Sequence, residues 1–358
     1  MKHIHRMILK TCGLVFLITL VFFIVLLELV DVFAYLWSYI DNQAAALDVL
    51  VILLAYVPKC FSYAVPVAAL FSISYTLGTL YANNELIAVL GGGMSFFRLI
   101  RPFIVIGLLM SVFVFFFEEK VVLPTYKLKN ERQALVLKRP DALTAPTSDL
   151  GFIDREHDVL LKVDAFMAQD NSLSGVFIYD RGGGRIVFSD RAVWDARTGW
   201  MMPNAWVYEY NAAHTFLVGK RVNQYRAVEI REAPDKFKLT TRKIEEMDLA
   251  AASEWIGELE SSGLPAQTAQ TGYFNKFSYA LRVFIVTILA ASVGRVFRKN
   301  ILLMYLLLSL SVSVVFFVFQ LITDALAKNG LVSPWLGAFI PILVFLAVAS
   351  VMLARAQT

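Results

Sequence analysis

Residues 12–39 read CGLVFLITLVFFIVLLELVDVFAYLWSY, a run whose only charges are Glu28 and Asp31. A hydrocarbon layer of about 30 Å takes about 20 helical residues to cross, so this stretch is long enough to span a bilayer. Five further apolar runs of spanning length follow at 49–81, 96–117, 274–296, 301–326 and 335–353. The pattern predicts six transmembrane helices, three before and three after a middle segment. Charge is distributed accordingly: 40 of the 62 Asp, Glu, Lys and Arg side chains lie between Lys127 and Glu260. A composition of 58% hydrophobic and 17% charged residues is more apolar than soluble domains, where these shares are nearer a half and a quarter. Outer-membrane barrels alternate apolar and polar residues, and continuous apolar runs exclude that class.

Basic residues mark one side of the bundle. Lys2, Arg6 and Lys10 precede the first run, Arg98 and Arg101 lie between the second and third, Arg295, Arg298 and Lys299 lie between the fourth and fifth, and Arg355 follows the last. The opposite short loops carry Asp41, Asp48 and Lys328. By the positive-inside rule both termini are expected in the cytoplasm and the middle segment outside. The first run is too long for a secretion signal and lacks a small-residue cleavage site, so it reads as an uncleaved span. Cys12 and Cys60 fall in different spans at different depths, which predicts no disulfide.

The expected domains are 1–124 (three spans, with a short helix near 83–92), 125–270 (external β domain) and 271–358 (three spans). Short β-type runs at 159–163, 175–179, 185–189, 205–210, 215–218 and 225–230 predict an all-β domain, a sandwich or jelly roll, with a turn at Gly182-Gly183-Gly184. No helix of crossover length separates the runs, which argues against a parallel sheet. The segment 248–262 places Leu249, Ala252, Trp255, Ile256 and Leu259 on one helical stripe and stops at Gly263 and Pro265. The fold class is thus a membrane α-helical protein of three plus three spans with an inserted jelly-roll-like β domain.

Several chemistries have no motif. Gly91-Gly92-Gly93 continues into Met94 and Ser95 without the lysine of a phosphate-binding loop. His157 has no second histidine at helical spacing, and no serine sits in a Gly-x-Ser-x-Gly elbow. No catalytic residue, cofactor site or metal site is expected in the chain, and no nucleic-acid partner.

Other residues carry a specific expectation. Asn83 or Asn84 is placed to cap a two-turn helix with Glu85 in its first turn, where the helix dipole favours an acid. Glu28 and Asp31 share one face of the first span, with Glu28 ~24 Å up from Cys12. Carboxylates in a bilayer face the bundle or a wet cavity rather than lipid. Lys59 and Arg282 each lie some way into a span from the external side, and each either pairs with Glu28 or Asp31 or meets an anionic headgroup.

The stretch Asn84-Glu85-Leu86-Ile87-Ala88-Val89-Leu90, with Gly93-Met94-Ser95 and Arg98-Leu99-Ile100-Arg101-Pro102, resembles the signature loop of the lipopolysaccharide-export permease family, the LptF/LptG type. Val57-Pro58-Lys59, Pro66-Val67-Ala68-Ala69-Leu70 and Val122-Leu123-Pro124 extend the resemblance. It implies a permease subunit of an ABC-type extractor working with a second permease of the family. A cytoplasmic ATPase dimer would use the ATP and Mg, and a periplasmic bridge protein would receive lipopolysaccharide. It implies a coupling role for Glu85, Asn84, Leu86, Gly93 and Arg98, and a substrate cavity in which Lys59, Arg282, Glu28 and Asp31 are candidates. Basic residues for lipid A phosphates in the first span, frequent in the family, are lacking here. The rival readings are a membrane-anchored scaffold whose β domain binds a protein partner, and an ion-coupled exporter with Glu28 and Asp31 as a proton relay.

Overall fold

A computed structural model describes residues 2–138, 147–154, 158–167, 170–209, 219–230, 233–235, 237, 244–261, 264–293 and 302–355. The chain divides into two compact units, Met1–Leu137 together with Gln267–Thr358, and Lys138–Ala266.

The first unit begins with α1 (Lys2–Asp41), α2 (Ala46–Ala82), the short α3 (Glu85–Gly91) and α4 (Phe96–Phe117). The third span departs from expectation. A π-helical turn, Glu118–Val122, carries α4 without a break into α5 (Leu123–Val136). The whole segment Phe96–Val136 is one helical rod of 41 residues, ~60 Å long at 1.5 Å per residue. Pro124 therefore does not end the span. A proline in a helix crowds the carbonyl four residues back, which here belongs to Lys120, inside the wider π turn.

In the second unit, six strands follow: β1 (Thr147–Asp154), β2 (Val159–Met167), β3 (Ser172–Asp180), β4 (Arg185–Asp195), β5 (Gly199–Glu209) and β6 (Lys220–Arg226). They pair in sequence order as one antiparallel meander. The β1 strand was not expected, the last strand ends at Arg226 rather than running 225–230, and the expected 215–218 strand lies outside the described residues. Along β2 to β5 the buried positions step by three instead of two at one place in each strand: Val163 to Phe166, Leu173 to Val176, Ser189 to Ala192, and Met202 to Ala205. One extra residue per strand bends the sheet and keeps apolar side chains on the core side of both segments. Gly175 (φ +60) and Asn204 (φ 59) supply left-handed backbone on that line. Phe237 sits at the aromatic centre, its ring centroid 5.6 Å from that of Phe166 and 5.5 Å from that of Trp200. The helix α6 (Leu249–Ser261) buries Ala252, Trp255 and Leu259, as its stripe predicts.

The chain returns to the first unit with α7 (Gln267–Val293), α8 (Leu302–Lys328) and α9 (Pro334–Arg355). Among the described residues six helices are thus long and apolar enough to cross a membrane. The most apolar stretch of α7 is 56% buried within the unit and that of α1 only 6%, so α7 is the axis of the bundle and α1 its outermost stave. Gly107 lets α4 approach α7: a Cβ there would sit 2.7 Å from Thr287. Ser111 Oγ donates to the Ala280 carbonyl at 2.8 Å across the same contact. Small residues at helix crossings serve this close packing in membranes. Cys12 and Cys60 are buried free thiols.

Candidate functional site

Several charged residues of the spans are paired within the bundle. Counted from Phe96, about 30 Å of helix ends near Glu118. There Lys59 Nζ lies 3.3 Å from Glu118 Oε2 and over the rings of Tyr63, Tyr126 and Tyr279 at 5.0, 5.7 and 5.6 Å from their centroids. The carboxylate and the three aromatic faces each attract the lysine cation electrostatically. Lys276 pairs with Glu119 at 3.7 Å.

A second lysine is built the same way. Lys129 Nζ, on α5, bonds Asp31 Oδ1 on α1 at 2.9 Å, over Tyr56 at 4.6 Å and Tyr35 at 5.5 Å. Nearby, Gln133 Nε2 donates to the Tyr39 hydroxyl at 3.0 Å. The sequence offered Glu28 or Asp31 as partners for Lys59 or Arg282; the partners are instead Glu118 for Lys59 and Lys129 for Asp31. Ending the third span at Phe117 hid both pairings. Glu118 and Lys129 are eleven residues apart in the sequence, about three helical turns, so they share a face once the helix is read through Pro124.

Among the described residues two candidates are left without such a partner. Both carboxylate oxygens of Glu28 are buried with no nitrogen or oxygen bonded to them, and the Cys60 thiol lies beside them. Arg282 sets its guanidinium over Tyr279 at 5.1 Å, while its Nε and the Tyr279 hydroxyl are buried and unbonded. Lys59 and Arg282 therefore meet at one ring, that of Tyr279, whereas Glu28 and Asp31 lie together around Cys60 and Lys129. Asp324, on α8, accepts from Asn275 and from Lys328, the latter at 2.9 Å.

The other end of the bundle presents α3. Leu86 is 3% exposed and packs with Ile8, Leu80 and Leu99, which roots the helix, while Glu85 is exposed and Ile87 is 52% exposed. Asn84 stands at the N-cap position with φ 62 but makes no side-chain cap. Asn83, the other residue expected to cap, instead donates from Nδ2 to the Glu85 side chain at Oε1, 3.3 Å away. A left-handed residue at 84 and Gly93 at φ +86 turn the chain sharply on both sides of the helix. Ser95 Oγ then caps α4 by accepting from the Arg98 amide at 3.4 Å, and His5 Nε2 lies 3.2 Å from the Arg98 carbonyl. Glu85, Asn84, Leu86, Gly93 and Arg98 thus sit in one turn-helix-turn. A cavity of about 210 Å³ opens between α1 and α3, lined by Met7, Ile8, Leu80, Glu85, Leu86 and Leu99 among others.

Among the described residues no group of three or more His, Cys, Asp or Glu side chains is placed to hold a metal ion. A comparison with curated proteins finds no similar sequence. The family described as lipopolysaccharide export system permease LptF/LptG matches residues 6–355, nearly the whole chain and both of its compact units. With its six membrane helices and inserted β domain, the chain belongs to the LptF/LptG family of lipopolysaccharide export permeases.

Proposed function

We propose that this permease subunit sits in the bacterial inner membrane with both termini in the cytoplasm and its β unit in the periplasm. There it moves lipopolysaccharide from the outer leaflet toward a periplasmic bridge protein. Work comes from ATP hydrolysed, with Mg, by a separate cytoplasmic ABC ATPase dimer, and a second permease of the family completes the cavity. The observation that carries this reading is α3: a seven-residue helix rooted in the bundle by Leu86 and exposed along Glu85 and Ile87 on the basic-loop side. A helix held rigidly on one side and bare on the other transmits a push from a docked motor into α2 and α4. Glu85 meets the motor and Leu86 passes the displacement on. Asn84 and Gly93 fix the two turns, and Arg98 opens α4.

At the opposite level, Lys59 and Arg282 are the cations toward which the anionic groups of the glycolipid are drawn, around Tyr279. Lys59 is engaged by Glu118, so a phosphate there must exchange with that carboxylate. Glu28 and Asp31 line the first span beside them. The test is Glu85→Ala in the complex. Assembly with the ATPase is expected to persist while glycolipid release falls at least tenfold. Unchanged export would remove the coupling role, and retention of a periplasmic partner with no ATPase in the purified complex would favour the scaffold reading.

A further inference from the structure

A second cavity, of about 220 Å³, lies between α1, α2, α4 and α7. Gly13 and Phe16 of α1, Ile73 of α2, Ile106 and Met110 of α4 and Val283 of α7 are among its lining residues. The hydroxyls of Ser72 and Thr287, which also reach it, are turned onto the Ala69 and Val283 carbonyls of their own helices at 3.0 and 2.7 Å. Nothing in the lining asks for water, and apolar cavities of ~150 Å³ stay dry and take apolar guests. The cleft exists because α1 packs along α2 and barely touches α4, and because Gly13 leaves open space where a side chain would stand, with nothing within 4 Å of a built Cβ. On its flanks both helices are lipid-facing: Leu17 and Val21 on α1 and Val105 and Leu109 on α4 are exposed. The cleft is therefore continuous with the hydrocarbon surface.

Its end toward the basic loops is charged. There α1 and α4 are joined by the His5 contact with the Arg98 carbonyl, and Arg6, Lys10 and Arg98, at or within five residues of that contact on the same two helices, are exposed. Neither the first 26 residues of α1 nor any of α4 carries an acid. Basic residues at this level attract anionic headgroups. We propose that the cleft between α1 and α4 holds one acyl chain of an anionic phospholipid of the basic-side leaflet, its phosphate at Arg6, Lys10 and Arg98. The bound chain props the outermost helix off the bundle. This site is separate from the Lys59 and Arg282 cluster and stands whether or not the transport reading does.

The test uses the full chain in vesicles of phosphatidylglycerol or of phosphatidylcholine, each carrying a photoreactive diazirine midway along one acyl chain. Adducts mapped by mass spectrometry are expected on 12–16 and 106–110, in excess over the outward residues Leu17, Val21 and Phe22, and more strongly from phosphatidylglycerol. Gly13→Leu, for which the space is open, is expected to lower the cleft adducts several-fold and leave the outward ones unchanged. Arg6→Gln with Lys10→Gln is expected to abolish the preference for phosphatidylglycerol. Cleft labelling unaffected by Gly13→Leu would overturn the slot. Equal labelling from both vesicles would overturn the anionic headgroup. A photoreactive residue at Ile106 that captures a polypeptide instead of lipid in the native complex would overturn the occupant.

Discussion

The pair Asp31–Lys129 ties the outermost helix to the long third rod, and a double-mutant cycle measures how much of α1's placement depends on it. Both side chains are nearly enclosed, 11% and 5% exposed, with Nζ to Oδ1 at 2.9 Å. Removing one member leaves the other buried and uncompensated, a loss of about 3–5 kcal/mol. For Lys129→Met the two tyrosine faces lose their cation as well, about 0.5–2 kcal/mol more. Removing both leaves no orphaned charge, so Asp31→Asn with Lys129→Met is expected to cost less than Lys129→Met alone, by about 2 kcal/mol or more. The assay is thermal unfolding in a fixed detergent, with cysteine accessibility at Cys12 as a local report on α1. The expected order of midpoints is wild type, double variant, Asp31→Asn, Lys129→Met. Strict additivity, or a Lys129→Met midpoint equal to wild type, would refute the claim that the pair is buried and coupled.

Gly175→Ala is expected to destabilise the β unit by about 2–3 kcal/mol, because the new Cβ would meet Asp164 Oδ2 at 1.9 Å and the backbone sits at φ +60. Limited proteolysis of the full chain should then cut within 158–209 first, and unchanged resistance would count against the bend line. In the same unit burial, and then the Glu229 carboxylate to which its hydroxyl donates at 2.5 Å, hold Tyr225 protonated above the usual tyrosine range. A raised folded-state value means that the bond's contribution is full below about pH 10 and is lost as pH rises through the folded value. In tyrosinate absorbance titration the wild-type minus Tyr225→Phe difference curve should rise above pH 10; a difference curve centred at pH 10 would contradict this.

Much of this architecture is legible in residue order. Apolar runs longer than a bilayer needs leave no choice but spans, and alternation at 159–163 or a stripe such as Leu249, Ala252, Trp255 fixes element type locally. What escaped reading was set by contacts distant in sequence. The apolar run stops at Phe117 because Glu118, Glu119 and Lys120 follow, yet the helix continues through them and Pro124, and that continuation places Glu118 and Lys129 on one face. Asn84 has the chemistry of a cap, but the backbone needs a left-handed residue there, and asparagine serves that need instead. The coupling turn is compact in sequence and was therefore readable as a unit. The Lys59 cage was not, because Tyr63, Tyr126 and Tyr279 come from three different helices.

The tie between Asp31 and Lys129 also bears on how the protein is made. The two residues are 98 positions apart, so at about 5–20 residues per second the ribosome needs roughly 5–20 s to supply the lysine after the aspartate has appeared. During that interval the first helix carries Asp31 without its lysine partner. The Asp31–Lys129 pair then forms only after the third rod has been made.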